Sequence, residues 1–286
     1  MLLVSDSGST KADWKFGSRE ADVCTTKGFN PFFHDAAFVL EELSSSPLAR
    51  LAEDVTELRF FGAGCSSLER NEQIAQPLRI FFPNALVVVD HDILGAAIAT
   101  NFDDRGITCI IGTGSNSCYY DGTRWSQVVP ALGYLLGDEA SGSWLGRRLL
   151  ADYLYHLLPE SLEQELNMKG LTKEGIFHSA YHEPHVNVYF ASMARVLSTH
   201  HAEPYVRQLV RSGFEEFLRI HILRYDNVHE LPLHFVGSIA FYFREILEEV
   251  LLRHRLICGK ILRKPIHELY RYYQEKGQGV QPSTNH

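Results

Sequence analysis

One local pattern occurs twice in this chain and limits the folds open to it. Near the start, an apolar run over residues 2–4 meets a small polar turn of Asp6, Ser7, Gly8, Ser9, Thr10 and Lys11, and a strand-like run resumes over 12–16. After Asp103, Asp104, Arg105 and Gly106 the pattern restarts. Residues 107–111 read as a strand, Gly112, Thr113, Gly114 and Ser115 as a turn, and 116–120 as a second strand. Each copy continues into mixed strand and helix patterns, which point to α/β architecture in both halves. No low-complexity linker separates the halves, so they are expected to pack closely around a cleft. With 286 residues the chain is long for one hydrophobic core and comfortable for two.

The remaining pattern fills in both halves. A third strand is expected over 23–27, then a loop through Gly28, Asn30 and Pro31, and a helix over 36–43 stopped by Ser44, Ser45, Ser46 and Pro47. Residues 58–61 read as a strand running into Gly62, Ala63 and Gly64. Residues 85–89 read as another, whose unbroken apolar run suggests a central place in its sheet. A helix opens at Asp92 and runs through Ile98. In the second half Asp121 and Gly122 suit a two-residue hairpin turn. Residues 141–158, 188–197, 204–223 and 239–252 read as helices, with a strand over 233–236 ending at Gly237 and Ser238. From residue 278 the chain reads as a loose tail.

The turns carry the chemistry. A phosphate tail is held by N–H donors at close range, which demands a tight turn of small side chains. Gly8 supplies backbone freedom, and Ser9 and Thr10 add hydroxyl donors. Asp6, at the strand end, is placed to hold Mg²⁺, through water because magnesium dehydrates reluctantly. The spacing is not that of a P-loop, which needs Gly, four residues, Gly, Lys and then Ser or Thr. A polar hairpin with no ligand has the same look. Two such turns in matching positions are the stronger sign, because a pair suits gripping one nucleotide's phosphates from both walls of a cleft.

Two acidic positions stand out beside the turns. Asp92 sits where an apolar strand meets a helix; it fits a helix cap, and it equally fits a base that takes a proton from a sugar hydroxyl attacking a γ-phosphate. A helix N-terminus favours the ionised form a base needs. Asp138 and Glu139 stand between glycines just before a long helix, where two adjacent carboxylates are costly unless they bind something or cap it.

Bulk properties exclude several classes. A formal charge of −8 argues against a general nucleic-acid binder. Five scattered cysteines with no CxxC pair fit reduced thiols in the cytoplasm better than a disulfide framework or a zinc site. The fourteen histidines show no ligand spacing with carboxylates. No signal peptide is evident and no apolar stretch approaches the roughly 20 residues that cross a bilayer.

The paired turns, followed by the strand-into-helix run of Phe235, Val236, Gly237, Ser238, Ile239 and Ala240, resemble the acetate and sugar kinase/Hsp70/actin superfamily. More narrowly, residues 6–11, 110–117, 132–146 and 235–238 resemble the N-acetylglucosamine kinases of the BadF/BadG/BcrA/BcrD ATPase family, in order and over about residues 1–265. The resemblance implies an α/β fold of two ribonuclease-H-like (actin-like ATPase) domains around a central nucleotide cleft. One domain spans 1–105, joined by a C-terminal helix at 265–276, and the other spans 106–264. It implies MgATP-dependent phosphorylation of an amino sugar, N-acetylglucosamine to its 6-phosphate, by a homodimer.

By the same resemblance, ATP is held by Ser7, Gly8, Ser9, Thr10, Lys11, Gly112, Thr113, Gly114, Gly237 and Ser238. Thr10 and Thr113 fall on phosphate contacts and Gly237 on the adenosine contact. Asn30, Asp92, Ser115, Asn116, Gly133 and Asp138 hold the sugar, Asp92 serves as base, and Asp6 organises Mg²⁺. Some positions depart from the family. The Gly-Gly-Trp-Gly of the animal enzyme is Pro130, Ala131, Leu132 and Gly133 here. An Ala-x-x-Gly-Asp segment is replaced around residues 199–204, and Glu268 stands where relatives often carry glycine. Two rival readings remain open from sequence: an activator ATPase holding an iron–sulfur cluster, for which Cys109 and Cys118, flanking the second turn in buried strands, are poor ligands, and a sugar-sensing regulator. The sequence does not separate N-acetylglucosamine from N-acetylmuramic acid, N-acetylmannosamine or glucosamine.

Overall fold

The structure, a computed structural model, describes residues 1–277 and divides into two compact units. The first holds Met1–Asp104, Tyr120–Trp125 and the described residues from Lys264 onward; the second holds Arg105–Tyr119 and Ser126–Arg263. The tail expected from residue 278 lies outside the described residues.

In the first unit, β1 (Leu2–Ser7) and β2 (Lys11–Lys15) form an antiparallel hairpin, and β2 pairs antiparallel with β3 (Val23–Lys27). Helix α1 (Ala36–Ser44) starts where the Asp35 side chain accepts from the Phe38 N–H, and a 3₁₀ turn follows at Pro47–Leu51. On the other side of β1, β4 (Glu57–Gly62) runs parallel to it. Helix α2 (Leu68–Phe81) then leads to β5 (Leu86–His91), parallel to β4, and α3 (Asp92–Asn101) follows without a break. The sheet order is β3-β2-β1-β4-β5. Trp14, Phe29 and Phe60 fill its core, with Trp14 5.8 Å from Phe60 and 6.0 Å from Phe29 by ring centroid.

Strand β5 lies at the sheet edge, not at its centre as its apolar run suggested. Burial alternates along the run: Val87 and Val89 are buried where α2 packs on the strand, Val88 is half-buried, and Leu86 at the start is exposed. Helix α2 went unread because Pro77 and a mostly polar sequence obscure its apolar face of Ile74, Ala75 and Leu78.

The second unit is built on β6 (Gly106–Ile111), β7 (Ser115–Tyr120) and the short β8 (Trp125–Ser126), whose edge residues Tyr120 and Trp125 group with the first unit. Helices α4 (Gly133–Leu136), α5 (Gly142–Leu154), α6 (Glu160–Met168), α7 (Lys173–Tyr181), α8 (Val186–Thr199) and α9 (Pro204–Phe217) follow. Helix α9 runs on into a π turn, Leu218–Ile222. Then come β9 (Pro232–Val236), α10 (Ser238–Tyr242), α11 (Arg244–Arg253) and β10 (Ile257–Leu262), giving the order β10-β9-β6-β7-β8. The chain re-enters the first unit as α12 (Ile266–Lys276), which packs on α3, β1 and β2. Among the described residues no helix is long and apolar enough to cross a membrane.

Three expected boundaries shift. The helix expected over 141–158 ends at Leu154, and His156 turns the chain with φ 55°. The one expected over 239–252 breaks at Phe243 into α10 and α11. The turn after β7 centres on Gly122 and Thr123 rather than Asp121 and Gly122. Asp121 Oδ1 accepts from the N–H of Thr123 (2.8 Å) and Arg124 (2.7 Å), so the aspartate caps the turn from its edge.

Helices α5 and α8 touch backbone to backbone. A Cβ on Gly146 would stand 1.8 Å from Phe190 O, which no rotamer change relieves. Gly146→Ala should therefore force the helices apart at a cost of about 2 kcal/mol and lower the melting temperature by roughly 4–8 °C. Thermal unfolding followed by circular dichroism measures this, and an unchanged melting temperature would contradict the packing.

Candidate active site

The hairpin register places Asp6 opposite Asp13 and Ser7 opposite Ala12. The Gly8 N–H donates to Lys11 O at 3.0 Å, leaving Ser9 and Thr10 at the corner. Lys11 and Thr10 are exposed, and Ser9 is half-buried. Ser7 is buried, and its hydroxyl accepts from the Phe29 N–H at 2.9 Å. The chain leaving β3 lies against this turn. Gly28 N–H donates to Thr10 O (3.2 Å), and a Cβ on Gly28 would come 2.0 Å from Gly8 O. That contact delivers Asn30, 5% exposed, whose Oδ1 accepts from the Phe32 N–H at 3.0 Å. Gly64, at φ 83°, leaves room for that oxygen, since a Cβ there would be 2.7 Å from it.

Three carboxylates gather at this end of the sheet. Asp13, buried, accepts from Lys264 Nζ and from the Thr25 hydroxyl, each at 2.9 Å. Burial, then the charges of Asp92 and Asp13, push Asp6 up to about 7, against the pull of Lys264 and Lys11. Asp92 opens α3, yet it is not the cap: the His91 side chain accepts from the Ile93 N–H instead. His91 Nδ1 lies 2.5 Å from Asp92 Oδ1, an ion pair when the imidazole is protonated. Burial works to lower the His91 pKa, but the charge of the Asp92 carboxylate and its hydrogen bond to the imidazole outweigh it and the net shift is upward. The Asp92 carboxylate is thus held against an imidazole and within reach of the charge on Asp6.

In the second unit the turn after β6 is tied to the start of α5. Gly142 N–H donates to Gly112 O (2.8 Å) and Ser143 N–H to Thr113 O (3.0 Å), while Gly112 N–H donates to Gly114 O (2.9 Å). Asp138 Oδ1 accepts from the Ser115 N–H at 3.1 Å, and a Cβ on Gly114 would be 2.8 Å from Asp138 Oδ2. Ser115 and Asn116 are buried; Ser115 Oγ has no partner, and Asn116 Oδ1 accepts from Gln127 Nε2 and from the Ser117 N–H. Gly237, at φ 122°, presses on the same turn, because a Cβ there would stand 2.4 Å from Ile111 O. Ser238 is exposed at the start of α10. Gly112, Thr113, Gly114, Ser115, Asp138 and Gly237 thus meet within this unit. Gly133 does not join them: it is exposed, at φ 72°, with nothing within 4 Å of its Cβ position. Cys109 and Cys118, flanking the turn, are buried, and burial pushes the Cys109 thiol well up.

Two glycines have no explanation in the packing. A Cβ at Gly8 would meet nothing closer than 3.7 Å, a Cβ at Gly112 nothing within 4 Å, and neither residue has positive φ. The protein itself tolerates a side chain at both places. A ligand approaching the backbone would not, which is the cradle a phosphate chain needs. For Mg²⁺, no group of three His, Cys, Asp or Glu able to hold a metal occurs among the described residues. The Asp6 carboxylate, crowded by the charges of Asp92 and Asp13, has the chemistry to accept a cation.

Asp13 and Lys264 were missed from sequence. The hairpin register would have found Asp13, since a corner at Ser9 and Thr10 forces it opposite Asp6. No local signal marks Lys264, which reaches Asp13 from the far end of the chain.

No family model and no curated protein matches the chain. Among solved structures, a Porphyromonas gingivalis protein provisionally named an N-acetylglucosamine kinase shares 38% identity at TM-score 0.91, covering 96% of this chain and 99% of that one. A Chromobacterium violaceum protein with the same provisional name shares 20% identity at TM-score 0.69, over 95% and 98% of the two chains. A Streptomyces griseus glucokinase of the ROK family, solved with glucose and AMPPNP, shares 15% at TM-score 0.57, over 96% and 99%. The last two share the fold alone. The fold is that of the sugar kinases of the actin-like ATPase superfamily. Within it, the chain belongs to the N-acetylglucosamine kinase family of BadF/BadG/BcrA/BcrD ATPases, a family of sugar kinases.

Two measurements follow from this geometry. Gly8→Ala and Gly112→Ala should each leave the melting temperature within about 2 °C yet raise the KM for ATP at least about tenfold (~1.4 kcal/mol). Substituted proteins with wild-type KM for ATP would show that nothing approaches these backbones. Asp6 gives a pH signature. Its folded pKa of about 7 exceeds the ordinary 3.8, so the folded state keeps a proton that the unfolded chain releases. Metal-free stability should therefore fall as pH rises from about 4 to about 7, by at most about 4 kcal/mol, and stay level above. At pH 8 in chelator, Asp6→Asn should melt higher than the wild type. Equal melting temperatures there would refute the strained carboxylate.

Proposed function

We propose that this chain transfers the γ-phosphoryl group of ATP to a hydroxyl of an N-acetylated amino sugar, with N-acetylglucosamine giving its 6-phosphate as the preferred reaction. The observation that carries this reading is Asp92: a helix-opening carboxylate, relieved of capping by His91, paired with that imidazole and within reach of the charge on Asp6. The family supports the sugar, and the AMPPNP bound by the Streptomyces glucokinase supports the nucleotide.

The residues divide the work. The turns of residues 7–11 and 112–114 bind the phosphates through backbone N–H groups other than those of Gly8 and Gly112, which are already donated within the turns, and through the Thr10 and Thr113 hydroxyls; Gly237 and Ser238 line the adenosine. Asn30, Ser115, Asn116 and Asp138 hold the sugar's hydroxyl and acetamido groups; Gly133, exposed in the ligand-free chain, contributes only if its segment folds over the sugar. Asp92 takes the proton from the attacking hydroxyl as its oxygen bonds to the γ-phosphorus. The bond from that phosphorus to the bridging oxygen breaks, and ADP leaves with the electron pair. Mg²⁺, when bound, neutralises charge on the phosphate oxygens, and Asp6 would hold it through water. The reading carries with it a homodimer in the cytoplasm.

The activator-ATPase alternative finds no support here, since Cys109 and Cys118 are buried in adjacent strands.

A coupled ATP-consumption assay over N-acetylglucosamine, N-acetylmannosamine, N-acetylmuramic acid, glucosamine and glucose tests the proposal. The expected result is sugar-dependent turnover highest with N-acetylglucosamine. Asp92→Asn should lower kcat by roughly 10² or more with affinity for an ATP analogue nearly unchanged. Turnover of no amino sugar, or wild-type kcat in the Asn variant, would overturn it.

A further inference from the structure

Glu139 and His221 form a pair that no role above uses. Glu139 Oε2 accepts from His221 Nε2 at 2.9 Å, and the residues are 8% and 3% exposed. A buried pair of this kind is poor evidence of stabilisation, because apolar side chains of similar volume pack as well or better. Its surroundings suggest a different reason for it.

Glu139 sits between Asp138 at φ 56° and Ala140 at φ 63°, two residues with side chains held in the left-handed region. Such conformations are strained for residues with side chains and persist only where the surroundings over-determine them. Here the surroundings are specific. Ser141 N–H donates to Asp138 O at 3.0 Å, and α9 presses on the loop at Gly213, where a Cβ would stand 3.2 Å from Ala140 Cα. The buried Glu139 carboxylate is the side-chain anchor at the loop's centre. His221 comes from the π turn that ends α9, a feature frequent at functional sites. Its ring stacks on Phe217 (centroids 4.9 Å apart, 25° between planes), and its Nδ1 is buried without a partner. The imidazole is therefore oriented to serve Glu139 with one nitrogen while the other goes unsatisfied, which is unfavourable for a buried polar atom.

We propose that His221 is a positioning residue: acting through Glu139, it locks the left-handed loop that aims the Asp138 carboxylate at the Ser115 N–H and at the sugar. This rests on the amino-sugar kinase reading of Asp138. Loss of the lock frees Asp138 but spares the nucleotide turn, because Gly112 O and Thr113 O remain bound to the first amides of α5.

The decisive variant is the double substitution Glu139→Met with His221→Leu, which removes the pair and keeps the volume. It should fold, melt no lower than the wild type, raise the KM for the sugar at least about tenfold and leave the KM for ATP within about twofold. His221→Gln, which keeps an amide donor, should recover most of the sugar affinity relative to His221→Ala. In the ligand-free double variant, hydrogen exchange at the amides of residues 138–141 should rise relative to the rest of the unit. A sugar KM within twofold of the wild type, or an equal rise in both KM values, would overturn the proposal. Should the wild-type protein phosphorylate no amino sugar, the kinase reading fails on its own. The exchange measurement then still decides the lock, and unchanged exchange at 138–141 sinks it.

Discussion

Like charges crowd the end of β1, and the first unit is organised around that crowding. The antiparallel register sets Asp6 across from Asp13, and the β5–α3 junction brings up Asp92. Only Lys264 and Lys11 oppose them at Asp6, and the balance leaves that carboxylate near pH 7 in its proton affinity. A fold selected for stability alone would replace at least one of these acids. On the proposed reading, a cation arriving with a triphosphate would relieve a strain already present. The Lys264–Asp13 contact fits that reading. It neutralises the carboxylate to which the proposal gives no ligand, and leaves Asp6 and Asp92 for the roles proposed.

The two turns answer the complementary problem of presenting backbone to an anion. Carbonyl oxygens repel phosphate as strongly as amides attract it, so a turn that binds phosphate must dispose of its carbonyls. In the first turn Thr10 O is taken by Gly28 N–H and Lys11 O by Gly8 N–H; in the second, Gly112 O and Thr113 O are taken by the first amides of α5. These bonds explain why neighbouring glycines cannot change. Gly28 must lie against Gly8 O, and Gly237 against Ile111 O. At Gly28 and Gly237 the requirement for glycine comes from the protein itself; at Gly8 and Gly112 the packing imposes none, and on the proposed reading it comes from the ligand.

What was readable in the sequence follows this division. The turns announce themselves because small residues between two strands are a local signal, and their repetition gave the two-part α/β architecture. Asp92 was equally visible, though sequence left it between cap and base; the structure moves the capping to His91. The position of β5 was misread because apolarity reports covered faces and says nothing of the sheet's edge. Lys264 and His221 were beyond reach for a different reason. Each meets its carboxylate partner across a long stretch of chain, 251 residues for Lys264 and 82 for His221, and neither contact leaves a periodic or compositional trace.

On the proposed reading, sugar choice is set where these constraints are weakest. Helix α4 and the residue before it lie just ahead of Asp138 and expose Leu132, Leu135 and Leu136 at 56%, 67% and 78%. Arg147 Nη1 donates to Tyr134 O at 3.0 Å and tethers the turn by its backbone, leaving its side chains uncommitted. This is the segment where the Gly-Gly-Trp-Gly pattern gives way to Pro130, Ala131, Leu132 and Gly133. A pocket distinguishes sugars that differ by one small substituent through side-chain shape worth only about 1–3 kcal/mol. In the proposed reaction, phosphoryl transfer depends instead on backbone turns that packing fixes in place. On that reading a segment outside the turns can change without disturbing the chemistry, and the departure in this chain falls on such a segment and not on the turns.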